Sequence, residues 1–158
     1  MTSADRVVDL LRGQGLTLAT AESITAGLLA SRIAGVPGCS AVLRGAVVAY
    51  ATDVKHSVLG IDERLLEHVV SEQVAVGMAA GATRVLGSDI GVGTTGVAGP
   101  GWLDAQPPGS VWIAVHDARN GRTRTRLLLL EGGREEIRRG VVDACLVEIE
   151  RVVRGSAP

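Results

Sequence analysis

The chain has no phenylalanine, a single tyrosine (Tyr50) and two tryptophans (Trp102 and Trp112). Whatever core it builds is therefore aliphatic, packed from Val, Leu, Ile and Ala, with 21 glycines allowing close backbone approach. It also lacks a surplus of charge. A formal net charge of −1 removes the basic excess that would argue for nucleic acid. Arg122, Arg124 and Arg126 are locally basic, but strand alternation places them on one face, which reads as a solvated face and not a phosphate track. Cys39 and Cys145 stand far apart without CxxC spacing, so neither a disulfide framework nor a zinc site is indicated, and both read as buried thiols of a cytoplasmic protein. Every apolar run is interrupted before the roughly 20 residues that span a bilayer, and the charged start does not resemble a signal peptide. No membrane association is expected. GxSxG is absent too, and His56, His68 and His116 sit among ordinary residues, so no Ser-His-Asp arrangement has motif support.

What is present is a steady interleaving of strand and helix signals over 158 residues, without repeats or linkers. That length predicts one domain with a real core. Ser3 is placed to cap a first helix reaching residue 12, with Val7, Val8 and Leu11 inward. Residues 16–21 read as a buried strand, 24–33 as a helix, and 40–51 as a strand bent or broken into a hairpin at Gly45. A short helix starts near Asp53, another at Asp62, and a long one runs from Ser71 to about residue 86. Strands at 89–95 and 110–116, a turn at 119–121, a returning strand at 122–130 and a helix at 134–153 complete the pattern. Residues 154–158 read as a frayed tail. The expected fold is a single three-layer α/β/α domain over residues 1–158, with a mixed, mostly parallel sheet. Ligands of such sheets collect beyond the carboxyl ends of strands, where Ser23, Tyr50 and Thr95 all fall.

The stretch Leu-Ala-Thr-Ala-Glu-Ser-Ile-Thr-Ala-Gly (residues 18–27) organises the rest. Ser23 lies where strand passes to helix, facing the positive end of a helix dipole, as suits a nucleophile whose intermediate carries an oxyanion. The same position suits a helix cap, and Ser23 or Thr25 could do only that. Gly-Val-Gly-Thr-Thr-Gly (residues 91–96) matches GxGxxG but fails as a dinucleotide fingerprint: Pro100 breaks the helix that would have to follow, and no acidic residue ends a second strand at the expected distance. The loop 96–101 reads equally as an anion-binding backbone cradle or a structural turn. Lys55 is a surface lysine or, if desolvation lowers its pKa toward neutrality, a base able to replace histidine.

Ordered motifs then carry a resemblance. They are Ala-Glu-Ser-x-Thr-x-Gly (21–27), Val-Pro-Gly-x-Ser (36–40), Gly-x-Val-Val-Ala-Tyr (45–50) with Lys55, Val-Ser-Glu-x-Val-Ala (70–75), Thr-Gly-x-Ala-Gly-Pro-Gly (95–101), Gly-Ser-Val-Trp-Ile-Ala (109–114) and Gly-x-Arg-Glu-x-Ile-Arg (132–138). Together they resemble the C-terminal domain of the CinA family, the nicotinamide-nucleotide amidase type. The resemblance implies a cofactor-free and metal-independent hydrolase that deamidates nicotinamide mononucleotide to nicotinate mononucleotide and ammonia. It implies Ser23 as nucleophile, Lys55 as its base and Tyr50 beside them. Thr25, Thr95, Gly96, Gly99 and Gly101 would shape the pocket and hold substrate, and Arg134 would meet a phosphate or orient the dyad.

The chain departs from that family's pattern at Ile24 and Ala26, where Cys and Gly are usual, and at Trp102 and Gln106, where a small residue and a lysine are usual. Two rival functions follow: a non-catalytic nucleotide-binding or protein-interaction module, and an amidase for another small amide. The expected partner is a small-molecule nucleotide, with no nucleic acid or membrane, and a homo-oligomer is expected. The large N-terminal domain of many relatives is missing from this sequence, so its pyrophosphatase activity is not expected here.

Overall fold

A computed structural model describes residues 1–155. Helix α1 (Ser3–Gly13) begins one residue earlier than Ser3 would cap it. Thr2 accepts from the Asp5 N–H while the Asp5 carboxylate accepts from the Thr2 N–H, a reciprocal capping box that satisfies two groups where Ser3 would satisfy one. Then come β1 (Leu18–Glu22), α2 (Leu28–Ala34), a 3₁₀ turn Cys39–Ala41, β2 (Leu43–Val48), α3 (Thr52–Ser57) and a 3₁₀ helix Glu63–Glu67. The rest is α4 (Glu72–Leu86), β3 (Ile90–Gly96), β4 (Ser110–Asp117), β5 (Arg122–Leu129) and α5 (Arg134–Gly155). Arg154 and Gly155, expected to fray, are the last turn of α5, whereas the remainder of the expected tail lies outside the described residues.

The five strands order β2-β1-β3-β4-β5. Strand β1 pairs parallel with β2 and β3, while β3–β4 and β4–β5 are antiparallel, so the sheet is mixed and four of its five strands point one way. The 40–51 segment is shorter as a strand than expected. Gly45 neither breaks it nor turns a hairpin: Leu18 pairs with Leu43 and Ala19 with Gly45, so Arg44 is the extra residue of a bulge, and Gly45 takes the φ of +152° there.

Helices cover both faces. On one, α1, α2 and α5 enclose Leu18, Val92, Val111, Ile113 and Val115; on the other, α4 packs Val74, Met78 and Ala82 over Ala19 and Ala21. With no phenylalanine to fill space, the second face closes by proximity. A Cβ on Gly91 would lie 2.1 Å from the Ala79 carbonyl oxygen, and one on Gly93 2.3 Å from that of Ala75. Gly91 and Gly93 of the GxGxxG run are thus the floor on which α4 lies, inside a strand, and their spacing of two follows strand alternation.

The basic strand β5 is also more than a solvated face. Arg124 and Arg126 converge with Arg151 on the buried Glu148 of α5, at 2.7, 3.1 and 2.7 Å, and so dock the last helix on the sheet edge. Burial alone would push that carboxyl up, but the guanidiniums outweigh it and hold it below its usual range. Cys145 is buried, with burial pushing its thiol up, whereas Cys39 is only partly covered. Among the described residues, no helix is long and apolar enough to cross a membrane.

Candidate active site

Because β1, β2 and β3 run parallel, the residues that follow them emerge at one edge of the sheet. Ser23 follows β1, Tyr50 follows β2, and the loop after Gly96 follows β3. They line one cavity of about 300 Å³, together with Lys55, Thr95, Gly96, Gly99, Gly101 and Arg134. Of the expected site residues only Thr25 is absent from this lining: it is fully buried, its hydroxyl 2.9 Å from that of Thr94, so its side chain braces β3 and does not meet a ligand.

The serine turn differs from expectation in a way that matters chemically. Helix α2 starts at Leu28, with Gly27 at φ +93° as its N-cap, so neither Ser23 nor Thr25 caps it. The Ser23 N–H instead donates to the Thr94 carbonyl at 3.0 Å, extending the β1–β3 pairing by one residue, and a tight turn follows in which the Ala26 N–H donates to the Ser23 carbonyl. Ala26 holds φ +47° in that turn, a conformation that costs a non-glycine residue about 1–2 kcal/mol and that glycine adopts without this cost. The free N–H groups of α2 are taken by Glu22. Its fully buried carboxylate accepts from the N–H of Gly27, Leu29 and Ala30 at 3.0, 3.1 and 2.9 Å, and from the Thr20 hydroxyl at 2.9 Å. The helix terminus is therefore closed to an oxyanion, contrary to the sequence reading, which had Ser23 facing it. Among the described residues, the N–H groups that meet no protein acceptor in this turn are those of Ile24 and Thr25.

Lys55 comes from α3, whose short span turns it inward: the residue is 2% exposed. Its Nζ donates to the Tyr50 carbonyl at 3.0 Å, and desolvation lowers its pKa from the ordinary lysine value. Among the described residues no hydrogen bond joins Lys55 directly to Ser23. Tyr50 itself is over half exposed, and its hydroxyl accepts from Arg134 at 3.0 Å. Arg134, at the first turn of α5, also donates to the Gly99 carbonyl at 2.8 Å, so one guanidinium ties the glycine loop to Tyr50. The Thr95 hydroxyl is committed to the Val69 carbonyl at 2.7 Å.

Beyond the cis Gly99–Pro100 bond, the unusual loop forms a small hairpin. Leu103 bridges Gln106, Asp104 accepts from the Val70 N–H at 3.0 Å, and the Gln106 amide donates to the Val70 carbonyl at 3.1 Å. Gln106 is thus a brace against the residue leading into α4. Trp102 is 69% exposed, between the lining residues Gly101 and Leu103. The charged side chains of the lining are Lys55 and Arg134, with no carboxylate and no histidine. Among the described residues, no group of three His, Cys, Asp or Glu side chains is placed to hold a metal.

Sequence reasoning missed Ile24, Thr52, Val69 and Leu103 as lining residues. It also missed Arg138, whose Nε and Nη2 donate to the Ile24 and Thr25 carbonyls, both at 3.1 Å. Its place at the end of the Gly-x-Arg-Glu-x-Ile-Arg run is the one signal that could have drawn attention to it.

Comparison with known proteins agrees with this architecture. A family model, the CinA C-terminal domain, matches residues 1–153. The chain is 46% identical over 151 residues to a CinA-like protein of Frankia casuarinae, covering 94% of this chain and 34% of that protein. It is likewise 46% identical over 157 residues to a CinA-like protein of Gloeobacter violaceus, covering 96% and 36%. The chain thus spans about a third of the curated relatives it matches. The crystal structure of competence/damage inducible protein CihA from Agrobacterium tumefaciens superposes with a TM-score of 0.90 at 35% identity, covering 96% of this chain and 93% of that one.

Proposed function

We propose, because this chain belongs to the CinA C-terminal domain family, that it is an amidohydrolase converting nicotinamide mononucleotide to nicotinate mononucleotide and ammonia, with Ser23 as nucleophile and Lys55 as base. The observation that carries the reading is the pairing of a serine with a lysine only 2% exposed in one cavity at the carboxyl edge of the sheet. Desolvation favours the neutral amine that a base must be. A neutral lysine has two N–H donors and one lone pair. One donor holds the Tyr50 carbonyl, which orients the amine and leaves its lone pair for the serine proton.

In this mechanism Ser23 Oγ bonds to the carboxamide carbon as its proton passes to Lys55 Nζ. The resulting oxyanion is met by the backbone N–H of Ile24, a lining residue that follows the nucleophile directly. The C–N bond then breaks, and Lys55 returns the proton to the departing nitrogen, which leaves as ammonia. Water attacks the acyl-serine, gives its proton to Lys55, and the serine regains it as the carboxylic acid departs. A pyridinium ring makes the carbonyl electron-poor and the attack easier. Arg134, in a lining without a carboxylate, suits the substrate's phosphate and is the side chain assigned to it.

Ammonia release from the purified chain tests this. Turnover of the mononucleotide is expected, with Ser23→Ala and Lys55→Ala each losing at least about a thousandfold in kcat. Binding without ammonia release would instead make the chain a nucleotide-binding module, an option that the exposed Trp102, between the lining residues Gly101 and Leu103, keeps specific. Turnover of a different amide in competition would move the substrate and leave the dyad.

A further inference from the structure

The backbone turn that carries Ser23 is held from outside the cavity by two oppositely charged side chains. Glu22 fixes its far end through the N–H groups of Gly27, Leu29 and Ala30. Arg138 reaches from α5 and takes the carbonyls of Ile24 and Thr25, while its third nitrogen is held by Glu135 at 2.9 Å. Arg138 is not part of the cavity lining and so is not placed to touch a substrate.

We infer that Arg138 is the positioning residue of the oxyanion site: by holding the Thr25 carbonyl it sets the Ala26 N–H on the Ser23 carbonyl, and so aims the N–H of Ile24, a lining residue, at the oxygen that becomes negative when Ser23 attacks. The geometry of the peptide bond makes this link. In a planar trans peptide the C=O and N–H point in opposite directions, so a carbonyl fixed toward Arg138 fixes the N–H of the same unit away from it. The Thr25 carbonyl and the Ala26 N–H belong to one peptide unit, and that N–H donates to the Ser23 carbonyl. The Ser23 carbonyl, so held, directs the N–H of its own unit, that of Ile24, oppositely. In this turn the Ile24 N–H meets no protein acceptor among the described residues and Ile24 lines the cavity, whereas Thr25 is fully buried. A guanidinium on the Thr25 carbonyl also polarises that amide and strengthens the N–H that holds the Ser23 carbonyl.

The inference rests on Ser23 being the nucleophile, and the test separates the two. Ammonia release is measured with nicotinamide mononucleotide, and in parallel the rate at which phenylmethanesulfonyl fluoride labels Ser23, read by mass. In labelling, Ser23 Oγ bonds to sulfur, fluoride leaves and the hydroxyl proton goes to Lys55, so no native substrate is needed. Arg138→Ala is expected to lower kcat by about 10²- to 10³-fold, as losing an oxyanion donor does, and to slow labelling in the same direction. KM should stay within about threefold, and the pH at half-maximal rate should not move, because the base is untouched. Millimolar guanidinium should restore part of the rate to Arg138→Ala and none to Ser23→Ala. Arg138→Lys, which reaches one carbonyl, should fall between, and it carries the comparison if the alanine variant does not fold. Arg138→Ala turning over and labelling within about threefold of the parent would overturn the inference while leaving the amidase reading intact, as would a loss confined to KM. If the mononucleotide is not turned over but Ser23 labels, the substrate assignment fails and labelling decides on Arg138. If the parent neither turns over the mononucleotide nor labels at Ser23, both fall.

Discussion

Replacing Glu22 by glutamine is the sharpest probe of how this turn is held. The carboxylate is fully buried, with four donors on two oxygens: Oε1 takes the Thr20 hydroxyl and the Ala30 N–H, Oε2 the N–H groups of Gly27 and Leu29. Glutamine has the same shape but one oxygen. Placing its NH₂ at the Oε2 position would set it against two N–H groups. The better orientation puts it at the Oε1 position, where the Thr20 hydroxyl can rotate and accept, and only the Ala30 N–H is stranded. One stranded buried donor costs about 1–3 kcal/mol. Loss of the negative charge at the start of α2 adds up to about 2 kcal/mol. The neutral amide is cheaper to bury, which takes back part of this. A net loss of about 2–3 kcal/mol follows, or a fall in Tm of about 4–12 °C for a chain of this size. Urea unfolding at neutral pH, with an unchanged m value, is the assay. A variant within about 0.5 kcal/mol of the parent would show that Glu22 does not cap α2 in solution, and the account of the serine turn would fail with it.

The same structure makes further claims. Gly93→Ala drives a methyl into the Ala75 carbonyl and should cost about 2 kcal/mol or more, whereas Gly13→Ala, with nothing within 4 Å, should be neutral or gain up to about 1 kcal/mol; equal effects in urea melts would refute the close approach of α4 to β3. Lys55 has a folded pKa lowered from 10.5, so between that lowered value and 10.5 the unfolded chain binds more protons and stability rises with pH. Relative to Lys55→Met, which lacks this dependence, the parent should gain in Tm as pH is raised from about 7 toward 10.5, and kcat/KM should rise as Lys55 deprotonates. A pH-independent difference in Tm would contradict its burial.

How much of this was legible beforehand depended on whether a feature is local. Helix α4 was readable nearly to its ends because Ser71 caps it and Gly87 ends it, two signals that act within one turn of the backbone. The turn before β5 and the alternation within that strand were readable for the same reason. The ordered motifs also marked Ser23, Tyr50, Lys55, Thr95 and Arg134, and these do share one cavity. The start of α2 was misread. Apolar periodicity begins at Ile24, but the helix cannot start until the chain has turned through Ala26 and Gly27, both at positive φ.

Composition and periodicity by themselves determined an aliphatic, three-layer α/β fold and the edge of the sheet where the candidate residues gather, because alternation and capping are properties of neighbours along the chain. Tertiary structure alone decided what each polar group is for. Glu22 became the cap of α2, Arg124 and Arg126 became partners of Glu148, and Arg138 came to hold the turn beside Ser23. Gly91 and Gly93, which look like a phosphate loop when read as letters, became the surface on which a helix rests. Each of these contacts joins separate elements, from 8 residues of chain between Glu22 and Ala30 to 114 between Arg138 and Ile24, and is settled by which hydrogen bonds and volumes remain to be satisfied once the layers close.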